Sequence, residues 1–335
     1  MSALTRSERL ALLAIALLSA LAGVANYGSW AAIPRFLLAT LALAGLAWVV
    51  SFATEQLGER FGPALTGFLQ STLGNLPELF VVIFALQKGE LVVAQTALVG
   101  SVLANALLVL GLVIVVGARR SGEGVMRFSK RLPRDTATLL LLAVFIIVLL
   151  GLSLAAHDPA SHHVKAISAI GAVCLLVVYV SWVVPYLRSD AAPAAQEGAG
   201  AARARMPLAL TIALLSLGGV ASAFVSDWFI NGLQPAIGEL HVSQAFAGLV
   251  IVAIAGNAVE NAAGLVLAYK RRADLAISVV KNSVAQIAAF LFPLLVLISF
   301  ALSTTLTFSL APVYIGALLL STLALAQVTG DGEAA

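Results

Sequence analysis

Apolar residues in this chain run in blocks long enough to cross a bilayer, separated by short polar stretches, and these blocks set the element pattern. About twenty apolar residues in a row suffice for a spanning helix. The pattern predicts ten spanning segments, at about 10–26, 33–54, 63–87, 91–117, 136–156, 164–187, 207–231, 243–269, 273–299 and 308–328. The chain is therefore expected to be an all-α polytopic membrane protein. The first segment follows Arg6 and Arg9 without a small-residue cleavage site, so it is expected to remain as a helix.

Composition agrees with that pattern: 61% of residues are hydrophobic and 10% charged, and the mean hydropathy is +1.03, which excludes an ordinary soluble domain. The net charge of +3 is explained by the membrane rather than by an acidic partner. Fifteen Lys and Arg, from Arg6 to Arg272, fall in loops on one side, and only Arg35, Lys88 and Lys165 fall on the other. The excess of cations marks the cytoplasmic side, so the N terminus is expected there. The single Cys174 reads as a packing residue, and His157, His162, His163 and His241 lack metal-ligand spacing. No enzyme chemistry, nucleic-acid binding or cofactor is implied.

The same five-residue pattern occurs twice within apolar runs, as Gly74-Asn75-Leu76-Pro77-Glu78 and Gly256-Asn257-Ala258-Val259-Glu260. A carboxylate at the bilayer centre costs about 3 kcal/mol, so such groups face water-filled cavities and act there. A shift of 182 maps the first motif onto the second, and also maps Ser101 onto Ser283. The motifs lie on the third and eighth segments, an odd number of crossings apart, so their helices are expected to run in opposite directions. Inverted repeats with broken helices meeting at the midplane are a transporter architecture. The chain then divides into an extra leading helix (1–32), a first repeat (33–187), a flexible cytoplasmic linker (188–206) and a second repeat (207–335).

Each residue type has a physical reason to be there. Pro77 lacks an N–H and clashes with the carbonyl four residues back, so the third segment is expected to break, and the eighth, without a Pro, to break more mildly. Calcium takes six to eight oxygen ligands, a mixture of carboxylate, carbonyl, amide and water. Glu78 and Glu260 supply two charges, and Asn75 and Asn257 either ligate the cation or cap the broken backbone. Ser101 with Asn105, and Ser283 with Gln286, share helix faces in the following segments; each serine is read either as packing or as part of the site. Glu55 and Glu59 at the cytoplasmic end of the second segment, and Asp227 and Glu239 at the opposite mouth, are read first as ordinary interfacial charges and otherwise as access or gating groups.

These runs resemble the two signature repeats of the calcium/proton antiporters, a branch of the calcium/cation antiporter superfamily. Ala53–Leu57, Gly100–Asn105 and Phe246–Val250 are similar to the neighbouring stretches, and the resemblance covers residues 36–334. It implies alternating access in which Glu78 and Glu260 bind either calcium or protons, exporting calcium across a plasma (inner) membrane. Asn261 stands where many members have a His, and Lys281 where relatives have a small or apolar residue. Lys281 is expected either to snorkel to the cytoplasmic surface or to pair with a site carboxylate. The second half has four segments against five in the first, so a final helix is expected to be missing. A sodium/calcium exchanger of the same superfamily is the nearer alternative, disfavoured because Asn105 is matched by Ile287; an uncoupled cation channel is the other.

Overall fold

The computed structural model describes residues 4–58, 73–128, 131–189 and 206–334, with the side chains of 58, 131–135, 185–189, 259 and 260 excepted. Residues 63–72 of the third predicted segment, Glu59, and most of the expected linker lie outside that set. The helices are α1 (Arg6–Tyr27), α2 (Ala32–Gly58), α3 (Leu76–Gln87), α4 (Leu91–Ser121), α5 (Arg131–Ala155), α6 (Val164–Ser189), α7 (Leu208–Leu240), α8 (Gln244–Gly256), α9 (Ala258–Tyr269), α10 (Ala273–Ser299) and α11 (Pro312–Val328). A short 3-10 helix (Pro159–His163) and two-residue strands, β1 (Met126–Arg127) and β2 (Glu333–Ala334), complete the described elements.

The protein is an all-α, multi-pass membrane protein. Seven of the described helices are long and apolar enough to span a bilayer, the bent pair α8–α9 makes an eighth, and α3 and α11 are shorter apolar helices. Nine of the ten predicted segments coincide with these elements, and the described part of the third coincides with α3. The largest departure is α7, expected to end near 231 but continuing to Leu240 with Pro235 inside it. The missing N–H of Pro235 frees the carbonyl of Asn231, and Arg35 Nη2 donates to that oxygen at 3.4 Å. A cation on the neighbouring helix thus repairs the ladder, and the helix runs on.

The helices form two compact units. The first contains α1, α2, most of α3, α7 and the break between α8 and α9. Its spine is the pair α2 and α7. Phe36 packs on Phe229 with ring centroids 5.2 Å apart. A Cβ at Gly232 would lie 3.1 Å from Phe36 Cα, and one at Gly218 would lie 3.2 Å from Val50. Contacts climb along α2 as they descend along α7, so the two helices are antiparallel. The shift of 182 maps α2 onto 214–240 of α7. Repeat-related helices therefore run in opposite directions, as an inverted repeat requires. The leading α1 packs beside them, where a Cβ at Gly23 would lie 2.9 Å from the Trp228 ring.

The second unit holds α4, both strands, α5, most of α6, the middle of α8, α9 beyond its start, α10 and α11. Its tightest crossing joins α4 to α8. A Cβ at Gly100 would stand 2.6 Å from Leu249 Cα, and one at Gly248 would meet Thr96. Small residues let membrane helices approach backbone to backbone, where dispersion replaces the hydrophobic effect that lipid removes. The loop from Ala301 to Ala311 is held by its polar groups: Ser303 Oγ donates to Leu86 O (2.9 Å) and Gln87 O (2.7 Å), Gln95 Nε2 donates to Ser309 O (2.9 Å), and Phe308 N–H donates to Ser168 Oγ (3.1 Å).

Gly100→Ala forces a methyl group against the Leu249 backbone, which cannot swing aside, and is expected to lower stability by about 2 kcal/mol. Gly111→Ala on the same helix meets nothing within 4 Å among the described residues and serves as the control. Thermal unfolding in detergent should separate the two, with a lowered midpoint for Gly100→Ala alone.

Candidate functional site

Both Gly-Asn-x-x-Glu motifs are helix starts. The helical run through Gly74 is interrupted at Asn75 and resumes as α3 at Leu76; the run ending at Gly256 is interrupted at Asn257 and resumes as α9 at Ala258. Asn thus sits at the cap position and Glu at the third residue of a new helix, the order Asn-x-x-Glu that favours helix initiation. Negative charge is favoured near a helix N terminus, so each break prepares a place for a carboxylate. Pro77 falls in the first turn of α3, where a Pro costs little, and the second motif breaks its helix without a Pro, Gln244–Gly256 and Asn261–Tyr269 being bent by 55°. An Asn stands at both interruptions.

Within the first unit the two motifs meet. Glu78 is 1% exposed, Asn75 and Asn257 are buried, and a Cβ at Gly256 would lie 3.8 Å from Glu78 Cβ. Gly256 keeps open the space over the Glu78 stem. Leu79 N–H donates to Asn75 O at 2.9 Å, closing the first turn of α3. The backbone of Glu260 belongs to α9, and its side chain lies outside the described residues.

Sequence reasoning missed Ser226. Its hydroxyl, fully buried on α7, donates to Pro77 O at 3.4 Å, bracing the start of α3. The shift of 182 pairs Ser226 with Ala44, so the repeat did not flag it. Thr54 and Gln56 on α2 are buried polar groups that also escaped notice; Thr54 Oγ1 donates to Val50 O at 2.8 Å.

The second unit gathers the other polar pairs. Ser101 and Asn105 on α4, and Ser283 and Gln286 on α10, are all buried, and the stretch Ala104–Val109 packs on α10. Both helices loosen at matching places. Ala104–Val109 and Ile287–Leu291 are π-helical, with Leu110 N–H reaching back five residues to Asn105 O and Phe292 N–H to Ile287 O. The shift of 182 carries one pair onto the other. Single π turns inside α-helices concentrate at functional sites. Asn105 Nδ2 donates to Ser101 O at 2.9 Å. The Gln286 Oε1 has no hydrogen-bond partner among the described residues. A buried amide oxygen left in that state is an available ligand.

The candidate access groups are dispersed. Glu55 and Glu239 are exposed near the ends of α2 and α7. Asp227 is half-buried inside α7, not beyond its end, and accepts from Asn231 Nδ2 at 3.1 Å. Asn261 is half-buried on α9, and its Oδ1 has no hydrogen-bond partner among the described residues. Lys281 is 2% exposed, which rules out snorkelling, and its Nζ donates to Thr329 Oγ1 at 2.6 Å.

Paired half-helices, antiparallel repeat-related spans and a buried carboxylate at a helix start define an inverted-repeat membrane transporter. The chain belongs to the sodium/calcium exchanger protein family, whose model matches residues 31–185 and 210–332. It is 34% identical over 297 residues to the vacuolar calcium ion transporter of Schizosaccharomyces pombe, covering 85% of this chain and 70% of that protein. It is 27% identical over 320 residues to the Ca(2+)/H(+) antiporter of Aphanothece halophytica, covering 91% and 85%. The solved structure of native YfkE superposes with a TM-score of 0.79 at 25% identity, covering 96% of this chain and 92% of that one. The H+/Ca2+ exchanger CAX shares the fold, with a TM-score of 0.75 at 16% identity over 98% and 85% of the two chains.

Asn105→Ala removes the donor to Ser101 O and should cost about 0.5–1 kcal/mol, the size of a hydrogen bond between neighbours in a membrane helix. A modest fall in the unfolding midpoint with an unchanged circular-dichroism spectrum is the expected result.

Proposed function

We propose that this protein is a calcium/proton antiporter that exports calcium from the cytoplasm by alternating access. The observation that carries the reading is Glu78, buried to 1% exposure at the first turn of a half-helix with the second motif's Gly256 against its stem. Relatives and structural neighbours named as calcium/proton antiporters support it. Glu78 and Glu260 balance the divalent cation when ionised and return empty when protonated. Asn75, Asn257, Ser101, Asn105, Ser283 and Gln286 supply neutral oxygens, and the backbone around Gly74 and Gly256 supplies carbonyls. A hard cation needing six to eight oxygens suits that mixture. The excess of Lys and Arg on one side supports a cytoplasmic N terminus in a plasma (inner) membrane.

Glu78→Gln keeps the shape and removes the charge. Calcium uptake into everted vesicles under an imposed pH gradient should fall below about a tenth of the wild-type rate, because one carboxylate cannot balance a divalent ion in a low-dielectric site. Retention of higher activity in a folded Glu78→Gln protein would remove the carboxylate from the site.

Sodium coupling is the reading to be separated from this one. At the position matching Asn105 stands Ile287, fully buried and without a ligand atom. A pH step alone should therefore drive calcium flux, with no requirement for sodium. Flux that needs a sodium gradient and ignores pH would move the protein to sodium/calcium exchange.

A further inference from the structure

The two repeat-related helices of the second unit, α4 and α10, are joined by one short piece of chain, residues 329–334. Thr329 caps the end of α11: its N–H and hydroxyl both donate to Leu325 O, at 3.2 and 2.6 Å. The same hydroxyl accepts from Lys281 Nζ at 2.6 Å, and both residues are buried. Lys281 lies two residues before Ser283 on α10. The end of α11 also explains why an ammonium is tolerated there, since a helix C terminus carries partial negative charge and unsatisfied carbonyls.

Four residues further on, β2 pairs with β1 in antiparallel register, Met126 opposite Ala334 and Arg127 opposite Glu333. Phe128 N–H donates to Gly332 O at 2.9 Å, and Arg127 Nε lies 3.4 Å from Glu333 Oε1. Strand β1 is in turn fastened to α4, because the Met126 side chain packs on Gly117, with Cγ at 2.9 Å from where a Cβ would stand. The segment therefore grips α10 at Lys281 and α4 through β1, and those helices carry Ser283 with Gln286 and Ser101 with Asn105.

We infer that residues 329–334 form a clasp holding α4 and α10 in fixed relation, with Lys281 a positioning residue that acts on the cation site through Thr329. The inference rests on the antiport reading for its transport consequence. It places the ammonium at the end of α11. The clasp stays shut through the cycle. Its loss loosens the polar pairs relative to each other, which weakens calcium binding more than it slows turnover.

In a Cys174→Ala background, Thr329→Val and Lys281→Met should each raise calcium KM about five-fold, with Vmax per folded transporter within about two-fold, the scale of losing one charge-assisted contact. Lys281→Arg, which keeps the cation, should restore most of the affinity. Cysteines at 127 and 333, which face each other in the register, should on oxidation bring the KM of Thr329→Val back toward wild type. A purely structural role would lower Vmax and thermal stability and leave KM in place, which overturns the inference; arrest of exchange by the oxidised pair overturns it too. Spin labels at the exposed positions 121 and 275 give a readout independent of transport. The proposal expects a narrow distance distribution that broadens in Thr329→Val, and an unchanged distribution refutes the clasp. Absence of proton-driven calcium uptake in the wild type would refute the antiport reading and leave the clasp to be judged on the label distances.

Discussion

Everything in this structure follows from one constraint: inside a bilayer each backbone N–H and C=O must find a partner within the protein, because lipid offers none. A cation site needs the opposite, oxygens not already spent on a helix. The chain reconciles the two by interrupting a helix once in each half, at Asn75 and Asn257, and surrounding each interruption with protein. Ser226 braces the carbonyl of Pro77 on one side of the break, and Leu79 closes the new helix on Asn75. The carboxylate follows at the third position, where the helix start favours its charge. The same logic governs α7, where Arg35 takes the carbonyl that Pro235 releases.

Much of this was legible in the sequence, for a simple reason. Spanning helices are dictated by length and apolarity, so the apolar segments were visible in outline, and the carboxylates inside them marked the two motifs as the places to look. The repeat was visible because Gly74, Asn75, Glu78 and Ser101 recur at a constant shift. What stayed hidden depends on partners distant in sequence. The end of α7 was misplaced because Asp227, Asn231, Gln234 and Pro235 look like the edge of a loop until α2 is set beside them. The partner of Lys281 could not be guessed, since Thr329 lies 48 residues away at the end of another helix. Pro77 drew the eye to the first break, whereas the second motif breaks without a Pro, at Asn257.

Glycine does two separate jobs in the protein, and the difference shows in the spacing around each. Gly100, Gly248 and Gly232 sit where backbones touch, so they are the points at which helices lock. Among the described residues Gly256 has only the Glu78 stem near it, at ordinary van der Waals distance. It leaves room instead of closing it. Residues of the same type, on the same kind of helix, thus separate scaffold from site.

The π turns at Ala104–Val109 and Ile287–Leu291 have a further meaning. A π turn is an α-helix carrying one surplus residue, and one residue corresponds to about 100° of helical rotation. Each helix is therefore two segments of independent phase: the part bearing Ser101 or Ser283 is set to face one set of neighbours, and the part beyond is set to face another. The surplus residue works as a rotary joint, letting the half that bears the serine be aimed without twisting the half that packs against the rest of the bundle.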